Sequence, residues 1–240
     1  MVTIVVFTIA PPFARAADIP AGGMSSMNAV VFAAPSNSVV FVFPDSTGGS
    51  PRCTSLYDAA YGDWIAGGIL LGKTSNLQTE TLDDNADYVN TIGTNCAPKT
   101  TNTVYVLMGG PNVNNLVYNN ELASSRITPV YFASDDANVY FKKTSDNSNI
   151  VTFAKSSLGG ATDYFVIEIV ADASGNSFFI FYGFTSKGSN AAAELVLSWI
   201  QGGILGSQTD SYYVYGWQDT NGDGIVNLPP TDTYTLITSG

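Results

Sequence analysis

One phrase is written twice in this chain, and that repetition limits the possible folds more than any other feature. The first copy runs Asn37-Ser-Val-Val-Phe-Val-Phe43, then a Gly/Ser loop, then residues 56–72 with Trp64-Ile-Ala-Gly-Gly-Ile-Leu70 inside them. The second runs Asn176-Ser-Phe-Phe-Ile-Phe-Tyr182, then a Gly/Ser/Lys loop, then residues 189–206 with Trp199-Ile-Gln-Gly-Gly-Ile-Leu205. Each copy reads as an apolar strand, a glycine turn and an amphipathic helix closed by glycine. A strand that is apolar throughout must be covered on both faces, and a crossover helix supplies one of the covers. The expected class is α/β, with two related strand-loop-helix halves forming layered sheets and added antiparallel β hairpins. Residues 1–22 are read as a signal peptide or N-terminal strand, 23–128 as the first half, 129–153 as a hairpin insertion, and 154–240 as the second half.

The punctuation between the copies fills in this outline. Thr103 to Met108 reads as a strand that leaves through Gly109-Gly110-Pro111-Asn112 into a helical stretch, Asn114 to Leu122. Such a turn can cradle a phosphate with backbone N–H groups, but no GxGxxG or GxxxxGK spacing is present. A tight exit from a buried strand is the preferred reading. From Pro129 to Phe153 the pattern changes to period two, broken by Asp135-Asp136 and Ser145-Asp-Asn-Ser-Asn149, which signals hairpins. Residues 74–85 read as polar and irregular. Tyr164 to Val170 and Tyr212 to Trp217 read as strands, and the Thr-rich end as an edge strand.

Composition narrows the function classes. A chain of 240 residues that is 45% hydrophobic can bury a substantial core. Only 12% of residues are charged, about half the usual share, so the surface is neutral and hydrogen-bonding, which suits packing against further copies. The net charge of −11 reflects only nine Lys+Arg, and the longest basic run is Lys142-Lys143. Nucleic acid is therefore not an expected partner. The absence of His removes the commonest general base and the commonest transition-metal ligand. The four Glu, at 80, 121, 168 and 194, form no evident carboxylate pair for glycosidase chemistry. Trp64 and Trp199 could stack on sugars, but at helical spacing beside isoleucine and leucine they read as core. The chain is expected not to be an enzyme.

Cys53 and Cys96 are the only cysteines, and the setting suggests an oxidising, extracytoplasmic location. One intramolecular disulfide is the simple reading. If the strands at 38–43 and 103–108 are parallel neighbours, however, the two cysteines sit at opposite ends of those strands, roughly 15–20 Å apart. A disulfide needs Cα atoms within about 7 Å. Unless residues 87–92 double back as an extra strand, the bridge would join neighbouring molecules, so both pairings stay open. At the N-terminus, Val2 to Ile9 followed by Ala14-Arg15-Ala16 fits a cleavable leader. The missing basic region and Pro11-Pro12 favour a retained strand, and no membrane span is expected.

The sharpest local motif is Asp219-Thr-Asn221-Gly-Asp223-Gly224-Ile225-Val-Asn227. Oxygen ligands at positions 1, 3 and 5, glycine at 6, a carbonyl from Ile225 at 7 and Asn227 at 9 match most of an EF-hand-type calcium loop. Pro230 stands where a bidentate Glu is expected, and Asp232 substitutes only if the loop is longer. The alternative is a turn held by Asx hydrogen bonds without metal.

Taken in order, a strand into a Gly-rich loop and helix, Val104-Tyr-Val-Leu-Met-Gly109-Gly110-Pro111-Asn-Val-Asn114, Phe179-Ile-Phe-Tyr-Gly183 through Gly188-Ser-Asn-Ala191-Ala192, and Val214-Tyr-Gly-Trp217-Gln-Asp219-Thr-Asn-Gly-Asp-Gly224 resemble archaeal S-layer proteins. The resemblance covers roughly residues 37–227, and the order of the motifs carries it. It implies a secreted structural protein that tiles into an envelope lattice, sheath or tube, often with Ca2+, at the cell surface. The chain is shorter and less charged than typical members and has no Asn-x-Ser/Thr sequon, which favours a neutral sheath or tubular element whose partners are copies of itself and other envelope proteins. Two rivals remain. One is an extracellular filament or pilin-type subunit that donates Val2 to Ile9 as a strand to its neighbour. The other is a secreted carbohydrate-binding module.

Overall fold

The computed structural model describes residues 38–43, 78–82, 89–90 and 97–240. The N-terminal segment, the helix expected around Trp64 in the first copy, and both Cys53 and Cys96 lie outside the described residues.

The molecule is organised on a mixed seven-stranded sheet. Its strands are β1 (Ser38–Phe43), β2 (Gln78–Leu82), β5 (Thr103–Met108), β9 (Thr162–Ala171), β10 (Ser177–Gly183), β11 (Tyr212–Gln218) and β12 (Thr233–Ser239). Two short strands, β3 (Val89–Asn90) and β4 (Ala97–Pro98), pair antiparallel beside it. A second, antiparallel sheet contains β6 (Val130–Ser134), β7 (Asn138–Lys143) and β8 (Asn149–Ala154). The helices are α1 (Asn115–Glu121) and α2 (Ser186–Gln201).

The strand order is β12-β11-β9-β10-β5-β1-β2. β2, β1, β5 and β10 run parallel, β9 is antiparallel to both β10 and β11, and β12 is antiparallel to β11. The strands of the two repeated phrases are β1 and β10, and they flank β5 on either side. β5 and the first six residues of β10 are buried without a break, as parallel strands covered on both faces must be.

Each face of the sheet has its own core. On one, Val104, Val106, Phe165, Ile167, Phe179 and Phe181 pack under Ala191, Ala192, Ala193, Val196 and Trp199 of α2. Trp199 meets Tyr213 edge to face at 5.4 Å, so it fills the core. On the other face, Tyr105, Leu107, Phe178, Ile180 and Tyr182 pack under Leu116 and Val117 of α1 and under Val130, Phe141 and Val151 of the second sheet.

One segment differs from the sequence reading, and another takes the alternative that the reading left open. Residues 78–82, read as irregular, form the parallel strand β2, last in the sheet among the described residues, because the backbone of β1 supplies a ladder that needs no apolar signal in its partner. Residues 89–90 do double back, pairing with Ala97–Pro98. Among the described residues, no helix is long and apolar enough to cross a membrane.

Candidate functional site

Adjacent parallel strands β5 and β10 send their helices to opposite faces, which opens a crevice at their C-terminal ends. The turn after β5 is fixed by Asn114, which is fully buried. Its Oδ1 accepts the N–H groups of Leu116 and Val117, capping α1, and its Nδ2 donates to the carbonyls of Val42 and Met108, both at 3.1 Å. One side chain thus ties α1 to the ends of β1 and β5, which is the physical content of the Gly-Gly-Pro-x-x-Asn pattern. The turn after β10 depends on close backbone approach. A Cβ on Gly183 would lie 2.3 Å from the Cα of Gly188, so glycine is required where α2 crosses the strand end.

Asp163, buried at the start of β9, holds that crossing in place. Its Oδ2 accepts the Thr185 hydroxyl and the N–H groups of Thr185 and Gly188. Burial pushes its carboxyl up to about 6, against the pull of these bonds. Beneath the crevice lies a second acidic group. Tyr182 donates its hydroxyl to Oε1 of Glu121, and the N–H of Phe132 donates to Oε2 at 2.9 Å. Glu168 accepts the N–H of Val130. The two glutamates therefore engage the outer edge of β6 and dock the second sheet on the first. Burial raises Glu121 to about 8, and burial together with the Glu121 charge raises Glu168 well above the carboxylate range. The sequence did not single out these groups, which are brought together across 61 residues between Glu121 and Tyr182.

The crevice itself measures about 200 Å³ and has Asn112, Tyr182, Thr185, Ser186 and Ser189 among its lining residues; the hydroxyls of Tyr182, Thr185 and Ser189 are engaged within the protein, on Glu121, on Asp163 and on the Thr185 carbonyl.

The Asp/Asn/Gly motif joins β11 to β12 at the same end of the sheet. Asp219 accepts the N–H groups of Gly222 and Gly224 at 2.7 and 2.9 Å. Asn221 donates to Asp223, and Asp223 accepts the Ile225 N–H. The latter bond, with that from Asn221, holds Asp223 below the usual carboxylate range. Asn227 donates to the carbonyl of Ile225 at 3.2 Å. Gly222 and Gly224 both have positive φ, near +75°, which the turn needs and glycine supplies. The loop thus gathers the Asp219, Asn221 and Asp223 side chains on one exposed turn. Asp232 is turned inward: only 2% exposed, it accepts Trp217 Nε1 at 3.0 Å, the Asn227 N–H at 2.8 Å and the Thr220 N–H at 3.2 Å. It ties the loop to β11 at the point where β12 begins. Among the described residues, no three or more His, Cys, Asp or Glu converge as a metal cluster.

β12 forms the outer edge of the sheet among the described residues. Its sequence, Thr-Tyr-Thr-Leu-Ile-Thr-Ser, carries no charge, and Leu236 and Ile237 are 49% and 42% exposed. The register shifts once opposite Val214 and Tyr215, which sets Ile237 in a bulge.

No model of a known protein family matches this chain, and no curated protein sequence is significantly similar to it.

Proposed function

We propose that this chain is a structural, self-assembling subunit of an archaeal cell envelope, working in an S-layer, sheath or tubular lattice at the cell surface and not as an enzyme. The observation that carries the reading is the β12 edge, a seven-residue strand without charge and with two half-exposed aliphatic side chains. Natural sheets guard such edges with charge, proline or cover. A bulge is a further guard, and the one at Ile237 is the device β12 carries among the described residues; an edge so lightly guarded is a template for pairing with another chain. The neutral surface and the ordered motifs shared with S-layer proteins support the same reading, as does the placement of the two repeated strands on either side of β5, which fits an origin in two related halves.

In this reading Asp219, Asn221, Asp223 and the Ile225 carbonyl offer oxygens to Ca2+, with Asn227 beside them and Asp232 bracing the loop from within. Cys53 and Cys96 form a disulfide within or between subunits, and the partners are further copies and other envelope proteins. The test is sedimentation velocity on the full chain and on Leu236→Lys with Ile237→Lys. Large assemblies in the parent that vanish in the variant, with melting unchanged, support the edge. Equal assembly in both removes β12 from the account.

A second reading rests on the crevice, where Asn112 and Ser186 would offer polar groups to a sugar. Saturable binding of a monosaccharide to a dispersed monomer would favour a carbohydrate-binding module instead.

A further inference from the structure

Two surfaces at opposite ends of the main sheet have matching chemistry. Where the second sheet overhangs the end of β9 and the beginning of β11, a groove of about 700 Å³ opens, with Ile169, Val170 and Tyr212 among its walls and Arg126 and Lys143 beside them. Thr128 also lines it, fully buried and with its hydroxyl unpartnered. Arg126 is fixed there, since its Nε donates to the Glu121 carbonyl at 2.9 Å and its guanidinium lies 3.4 Å over the Tyr131 ring. In a chain with nine Lys+Arg, two of them stand on this one apolar groove, with Asp146 near enough to Lys143 to feel its charge.

The other surface is the loop between β11 and β12. Ile225, 59% exposed, stands out furthest among the large apolar side chains of the described residues. It follows Asp223 by two residues on a turn that also carries Asp219, in a stretch from residue 188 to the end that contains Glu194, Asp210, Asp219, Asp223 and Asp232 but no Lys or Arg. The hydrogen bonds within the loop hold this knob in one shape.

Strand β11 separates the two surfaces, with Tyr212 at the groove and Gln218 against the loop. Its length is roughly 20 Å, so the knob of a copy does not reach its own groove. With the loop free of Ca2+, an apolar knob flanked by acids at one pole and an apolar groove flanked by bases at the other form a head-to-tail pair, and repetition of such a contact need not close. We infer that the Ile225 loop of one copy seats in the Arg126 and Lys143 groove of the next, joining copies into rows along the strand direction. The inference rests on the self-assembly reading above and adds to it a contact and a polarity.

The test uses the full chain with Lys143→Glu, which spoils the groove, and Ile225→Lys, which spoils the knob. Both positions are at the surface, and circular dichroism and melting confirm that each variant is folded. Electron microscopy and light scattering then compare the two alone, mixed in equal amounts, and combined in one chain. Each single variant is expected to lose the rows, while the mixture and the double variant, in which the introduced charges face one another, recover them. Rows in both single variants would overturn the contact and leave the lattice reading standing. Loss of rows in Lys143→Glu only, with polyglutamate binding to the parent but not to that variant, would overturn it too and give the groove to an acidic polymer. A parent chain that never assembles would sink both readings.

Discussion

The buried pair of Glu121 and Tyr182 makes the sharpest prediction about stability. The Glu121 carboxyl moves from 4.5 to about 8 in the fold, chiefly because burial disfavours its charge. Between those two values the folded chain binds a proton that the unfolded chain has released, so stability falls as pH rises through the window. At about 1.4 kcal/mol per unit, the full loss from this group is about 5 kcal/mol, complete above about pH 8. Glu168 shifts in the same direction, so the informative quantity is the difference between the parent and Glu121→Gln. Glutamine reproduces the shape of the neutral acid, with its oxygen accepting the Phe132 N–H and its amide donating to the Tyr182 oxygen. Urea unfolding should place the variant within about 1 kcal/mol of the parent near pH 5, where the native carboxyl is neutral. Near pH 8 the variant should be the more stable, by about 3–5 kcal/mol. Glu121→Ala, which leaves the Phe132 N–H and the Tyr182 hydroxyl without a partner, should lose about 2–4 kcal/mol near pH 5. Parallel pH curves for the parent and Glu121→Gln would refute the reasoning, because the carboxyl would then be ionised in the fold at no cost.

Further outcomes follow from the same structure. Asn114→Ala removes the cap of α1 and strands the carbonyls of Val42 and Met108, so chemical denaturation should show a loss of about 3 kcal/mol. Asn114→Asp should not restore it, because a carboxylate cannot donate to those carbonyls. Gly183→Ala places a methyl group against the backbone of Gly188, and its melting curve should shift by the equivalent of about 3 kcal/mol. Calorimetric titration with Ca2+ should give one site per chain, lost in Asp219→Ala with Asp223→Ala; identical heats in parent and variant would take calcium out of the loop.

How much of this was legible beforehand depends on the kind of signal. The strands β1, β5 and β10 announce themselves as nearly unbroken apolar runs, and β6 to β8 by alternation broken at Asp135-Asp136 and Ser145 to Asn149. β2 does not, because Gln-Thr-Glu-Thr-Leu carries no apolar run and pairs with β1 through its backbone. The reversal of β9 between β10 and β11 is equally hidden, since an apolar run says that a strand is covered and not which way it points. The turn from Asp219 to Asn227 was visible because turn chemistry is local, while the inward hold of Asp232 on Trp217 was not. The Glu121, Glu168 and Tyr182 cluster was invisible, because nothing near any of the three reports a partner on another element. Asn114 lay between: its motif was readable, but its hold on Val42 required the fold.

The central claim is self-assembly, and the most direct measurement is electron microscopy of the full-length chain, imaged as isolated, after hot reductant and after a chelator. Ordered sheets or tubes that come apart under reductant or chelator are expected. Dispersed monomers under every condition, at concentrations where the chain remains folded, would contradict it.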